Sequence, residues 1–115
     1  MRKKSYKGKC EKRRVEKCSD VCRTYDAIQA AYVDVLMNCP DVVEFKCNVI
    51  LDGLEEGDYM TDFVCKKKDG DLMVRECVFR RLISKPMTVK LLEASRQYWL
   101  RRGVTDWGLV IDAEE

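Results

Sequence analysis

The pair Asp69-Gly70 constrains this chain most. It stands between two runs that alternate apolar and polar residues, Tyr59 to Lys67 and Asp71 to Phe79. An Asp-Gly pair so flanked is a strong short-range hairpin signal, because glycine takes positive φ without a Cβ clash and period-two alternation suits a pleated strand. Two registers are open. A two-residue turn pairs Lys68 with Asp71 and sets Asp62 opposite Cys77. A three-residue loop, Lys68-Asp69-Gly70 with Gly70 left-handed, pairs Lys67 with Asp71 and sets Asp62 opposite Glu76 on one face. Cross-strand β-carbons then lie about 5 Å apart. Two carboxylates that close repel, and a divalent cation between them is the usual reason for such a pair to persist. The alternative is that Glu76 pairs with Arg75 or Arg81 while Asp62 caps a turn.

The rest of the chain supplies partners for that hairpin. With 115 residues, of which 46% are apolar, it has material for one core and no room for two domains. Ile28, Ala31, Tyr32, Val35 and Leu36 form a helical stripe between Thr24, an expected N-cap, and Asn38, with Pro40 as the stop. Asp41 to Ile50 alternates as a half-buried strand does. Asp52 to Asp58, with two glycines and four acids, reads as a loop. Pro86 suits the first turn of a second helix that runs to about Arg102, with Met87, Leu91, Ala94 and Tyr98 along one side, Leu92 and Trp99 widening the stripe, and Gly103 at C′. Trp107 to Ile111 is nearly all apolar, as in a strand covered on both faces. The order predicts an α/β fold: helix, three-strand meander, helix, strand, with the last strand parallel to the third in a mixed four-stranded sheet.

Charge is distributed unevenly. Residues 1–17 hold nine Lys/Arg against Glu11 and Glu16, a net of +7, which leaves the other 98 residues at −5 against a total of +2. A basic arm over residues 1–22, ahead of a domain over 23–115, suits a polyanion such as DNA, with Lys12, Arg13 and Arg14 as contacts; a solvated leader is the competing reading. Arg75, Arg80 and Arg81 beside the hairpin, and Arg96, Arg101 and Arg102, add further cations able to meet phosphates. Seven cysteines and no apolar segment behind Met1-Arg2-Lys3-Lys4 lead us to expect an intracellular protein with reduced thiols and no membrane span. Cys39, Cys47, Cys65 and Cys77 read as packing groups. Cys10, Cys18 and Cys22 offer a loosely spaced zinc site that would need one more thiolate, and free thiols are the simpler expectation. The absence of histidine excludes a His-based triad or a His-ligated zinc hydrolase.

Several short motifs, taken in order, carry a resemblance. Met60-Thr61-Asp62-Phe63-Val64, then Asp69-Gly70, then Val74-Arg75-Glu76-Cys77-Val78 resemble the catalytic hairpin of the PD-(D/E)xK nucleases, and more narrowly the N-terminal domain of the TnsA transposon endonucleases. Asn38-Cys39-Pro40-Asp41-Val42-Val43 and Ala94 to Gly103 resemble that family's helix ends. The resemblance implies a restriction-endonuclease-like core and a metal-dependent DNA endonuclease of a phage or mobile element. Asp62, Glu76 and the Cys77 carbonyl would hold Mg²⁺ or Mn²⁺. Gln29 falls where the family has a helix glutamate, and Val78 where it has the catalytic lysine. Valine cannot polarise a water, so Lys90 is considered as a surrogate. Otherwise the fold serves as a non-catalytic module that binds DNA or a protein partner, such as one from a mobile element or a host defence system. Small nucleases of this fold often act as dimers, so a homodimer is a further expectation.

Overall fold

The computed structural model describes residues 10–54 and 59–112. Strands β1 (Glu11–Arg13) and β2 (Cys22–Thr24) form a small antiparallel ribbon. Helix α1 (Ala27–Met37) follows, then β3 (Val42–Leu51), β4 (Tyr59–Lys67) and β5 (Leu72–Val78). A 3-10 turn at Arg80–Leu82 leads to helix α2 (Pro86–Leu100), and β6 (Asp106–Ile111) is the last described element. The larger sheet has the order β3-β4-β5-β6, antiparallel except where β6 runs parallel to β5. The class is therefore α/β with a mixed four-stranded sheet, as the element order predicts, plus a two-stranded sheet that it does not. Among the described residues no helix is long and apolar enough to cross a membrane.

Two apolar clusters place the helices on opposite faces of the sheet. Ile28, Val33 and Leu36 of α1 pack with Phe45, Phe63, Cys65, Met73 and Cys77. Leu91 and Trp99 of α2 pack with Leu51, Tyr59 and Val74. On β5, Met73 and Cys77 face α1 while Val74 faces α2, as the pleat requires.

The hairpin adopts the three-residue loop. Gly70 has φ 91°, its N–H donates to the Lys67 carbonyl at 2.9 Å, and Lys67 N–H donates to the Asp71 carbonyl at 2.9 Å. The ladder then pairs Lys66 with Leu72 and runs to Phe63 with Arg75. Continuing this register sets Asp62 opposite Glu76, but regular pairing stops just short of them.

Three expectations are corrected. The buried face of α1 uses Gln29 and Val33 with Ile28 and Leu36, and leaves Ala31 and Val35 exposed. Its N-cap is Asp26, whose carboxylate accepts from Gln29 N–H at 2.8 Å, and not Thr24. Strand β6 is only half-covered, because it is an edge strand, with Leu109 36% exposed.

The N-terminal segment is also less separate than an arm over 1–22 implies. Cys18 and Cys22 belong to the α1-side core. Phe45 N–H donates to the Lys17 carbonyl at 2.8 Å. The Lys17 ammonium donates to the carbonyls of Leu36 (2.9 Å) and Cys39 (2.7 Å), adding a charged donor to acceptors at and just beyond the end of α1 that also take the backbone N–H groups of Cys39 and Val42. Arg2, Lys3, Lys4, Lys7 and Lys9 of the expected arm, and residues 55–58 of the expected loop, lie outside the described residues.

Candidate functional site

The acids singled out by the sequence sit where β4 and β5 separate, and there side chains replace ladder bonds. Asp62 N–H donates to Glu76 Oε1 at 3.0 Å, and Cys77 N–H donates to Asp62 Oδ2 at 2.7 Å. Gln29 of α1 donates through Nε2 to Asp62 Oδ1 at 2.5 Å. Gln29, Asp62 and Glu76 have no solvent-exposed surface. The structure thus brings together Gln29, Asp62, Glu76 and Cys77, the last through its N–H.

A local change of strand phase makes this possible. Phe63 packs against Tyr32 of α1, with ring centroids 5.5 Å apart, while the adjacent Asp62 reaches Gln29 on the same helix. Consecutive residues of a regular strand point to opposite faces. Tyr59 lies in the α2-side cluster and Phe63 in the α1-side cluster, although an even separation would place them alike. The same reversal separates Cys47 from Leu51 on β3. Between them lies Asn48, held at φ 54°, in the left-handed region that asparagine tolerates better than most residues. Its side chain is fixed by the Gln29 amide on Oδ1 (3.1 Å) and by its own donation to the Arg23 carbonyl (2.9 Å).

Glu76 faces the other helix. Its Oε2 accepts from Thr61 Oγ1 at 3.0 Å and from Ser95 Oγ of α2 at 2.5 Å. Trp99 Nε1 donates to Thr61 Oγ1 at 3.0 Å, and Trp107 Nε1 donates to Ser95 Oγ at 3.1 Å. An indole N–H can only donate, so each hydroxyl accepts from a tryptophan and passes its own hydrogen to Glu76. Sequence reasoning missed this relay. The available signal was Ser95, a polar residue inside the apolar stripe of Leu91, Leu92 and Trp99.

These donor positions decide how well the acids suit a hydrated cation. Carboxylate oxygens are the right type for Mg²⁺ or Mn²⁺. Each of the four is already bonded to an N–H or O–H group, and the pair is held from opposite layers, Asp62 by α1 and Glu76 by α2. Mg²⁺ ordinarily retains several waters, and a site with no solvent-exposed surface does not supply them. The residues as arranged do not fit that ion.

The remaining expected site residues are placed elsewhere. Lys90 is exposed on α2, whereas Ser95 is the α2 residue that reaches Glu76. Val78 is buried. Arg75 is committed to Asp106, with an ion pair at 2.8 Å and bonds to the carbonyls of Val74 and Asp106, so it fastens β5 to β6. Arg13 pairs with Asp34 at 2.7 Å. Arg80 and Arg81 are exposed, Arg81 lying over the Phe79 ring at 5.2 Å. Lys12 and Arg14 are exposed on and beside the ribbon. Of the expected zinc ligands, Cys10 is exposed and apart, while Cys18 and Cys22 join Cys47 in a group that could hold a metal ion.

No protein-family model matches the chain, and a search of curated proteins finds no match.

Proposed function

We propose that the chain is a non-catalytic module on a TnsA-like, restriction-endonuclease-like fold, and that it binds DNA. The observation that carries the non-catalytic reading is that buried donors engage all four carboxylate oxygens of Asp62 and Glu76. With Val78 at the family's lysine position and Lys90 exposed, no ammonium is supplied from either place to stabilise charge on a phosphate under attack. The acids instead tie both helices to the centre of the sheet. The exposed cations Lys12, Arg14, Arg80 and Arg81 provide the attraction for a phosphate backbone. A homodimer, or a protein partner from a mobile element or host defence system, is compatible with this role.

A second reading, a weakened metal-dependent endonuclease, is favoured by the convergence of Gln29, Asp62 and Glu76. Buried acids in one network are also a common mark of functional sites. A single experiment separates the two readings. Supercoiled plasmid is incubated with the protein and Mg²⁺ or Mn²⁺, alongside Asp62→Asn, and duplex binding is measured across a salt series. The proposal expects no nicking by either protein, and affinity that falls with salt and weakens in Arg80→Gln/Arg81→Gln. Metal-dependent nicking that disappears in Asp62→Asn would establish the second reading. Absence of both nicking and DNA binding would remove DNA as the target.

A further inference from the structure

Away from the acidic network, three sulfurs converge. The Sγ atoms of Cys18, Cys22 and Cys47 lie within 4.8 Å of one another. Cys18 and Cys22 come from the N-terminal segment and Cys47 from β3, so folding brings together Cys22 and Cys47 from positions 25 apart in sequence. Cys22 is fully buried and Cys18 nearly so. The Cys22 and Cys47 sulfurs are 3.1 Å apart, too far for a disulfide, whose bond is about 2.05 Å. Zinc–sulfur bonds of about 2.3 Å set tetrahedral thiolates roughly 3.8 Å apart, a spacing the group reaches with small side-chain adjustments.

The surroundings suit an ion bound by thiolates. Cys18 and Cys47 line a cleft of about 430 Å³, together with Asp20, Arg23, Lys46 and Asn48. A zinc ion with three thiolates carries a net charge of −1, which the cations Arg23 and Lys46 on the cleft wall offset. Thiols must lose their protons to ligate zinc, so metal binding at these cysteines releases protons to solvent.

The geometry points to a thiolate zinc site at Cys18, Cys22 and Cys47, with its fourth position facing the cleft, where water completes the tetrahedron. The site joins the N-terminal segment to β3. Cys47 immediately precedes Asn48, which holds the Gln29 amide on Asp62, so the metal also braces the acidic network. A three-thiolate site whose fourth position holds water is open to a ligand from the cleft.

The full chain, purified under reducing conditions from zinc-supplemented medium, is assayed for metal content and titrated with Co²⁺ after zinc removal. The expected result is about one zinc per chain and an intense sulfur-to-cobalt charge-transfer absorption, as thiolate sites give. Cys47→Ser and Cys18→Ser should lose most bound zinc, while Cys10→Ser retains it. If the serine variants fail to fold, the Co²⁺ spectrum of the unaltered chain decides alone. Cobalt binding without thiolate charge transfer overturns the site. So does an unaltered chain that binds neither metal, or zinc retention in folded Cys47→Ser. A Cys22–Cys47 disulfide that persists in mass spectra of protein kept reduced during purification would likewise replace the metal by a covalent link.

Discussion

At the scale of single residues, Glu76 has the most consequences. Thr61 and Ser95 each carry one hydroxyl hydrogen, and each accepts from a tryptophan, so both hydrogens are directed at Glu76 Oε2. Oε1 takes the Asp62 N–H. Glu76→Gln preserves shape but not acceptor count. If the amide oxygen faces the hydroxyls, its NH₂ meets the Asp62 N–H; if it is turned over, the NH₂ meets Thr61 and Ser95. Either way a buried donor is left unpaired, so the variant should lose about 2–4 kcal/mol of stability. Urea unfolding checks the loss, and tryptophan fluorescence should change with it, because Trp99 and Trp107 hang from the same hydroxyls. The sequence makes part of this site legible. Hairpin geometry offers a register in which Asp62 and Glu76 meet, and the structure adopts it. Alternation places both acids on one face, however, and this fails because Asn48 and Asp62 reverse the phase of two strands together. Asparagine is depleted in strands and tolerates positive φ, so Asn48 within the Asp41–Ile50 run is a weak signal of irregularity, but it does not by itself say that the strand reverses its phase.

At the scale of elements, the N-terminal segment and α1 depend on each other. Lys17 donates to two carbonyls at the C-terminal end of the helix, where no basic residue lies in the helix's own last turn. A cation there also opposes the partial negative charge of the helix end. Lys17→Met keeps the aliphatic stem and removes the donors. It should cost about 1–2 kcal/mol, measured by chemical denaturation. Hydrogen exchange should rise in the last turn of α1 and at Phe45, whose N–H is held by the Lys17 carbonyl. An unchanged exchange pattern would mean that the segment is not a cap. The strands and helices are close to their sequence limits because proline, glycine and periodicity mark their ends. The rotation of α1 is not legible, because a buried Gln29 reaching Asp62 outweighs the apolar preference for Ala31 and Val35. The capping role of Lys17 is equally hidden, since in sequence it is one cation among nine.

At the scale of the whole molecule, the parallel strand β6 is held by contacts distant in sequence. Asp106 receives Lys67 of β4 at 3.0 Å and Arg75 of β5 at 2.8 Å, so one carboxylate fastens three strands. Burial disfavours its charge, but the two cations outweigh that effect and hold the Asp106 carboxyl below its usual value of 3.8. The sign of the linkage follows. A depressed native pKa gives stability that is present in full above the unfolded value and is lost as the pH falls through the native one. The carboxylate is 36% exposed, and solvent screening limits its contribution to about 1 kcal/mol at neutral pH. Asp106→Asn should therefore be less stable than the unaltered protein by about that amount at pH 7. The gap should narrow once the pH falls below the ordinary carboxylate value and should close in stronger acid. Denaturant midpoints measured across this range check it. A gap that stays constant through acid would place the effect of the substitution in packing rather than charge, and β6 would then be held by its backbone ladder with β5 and not by this ion cluster.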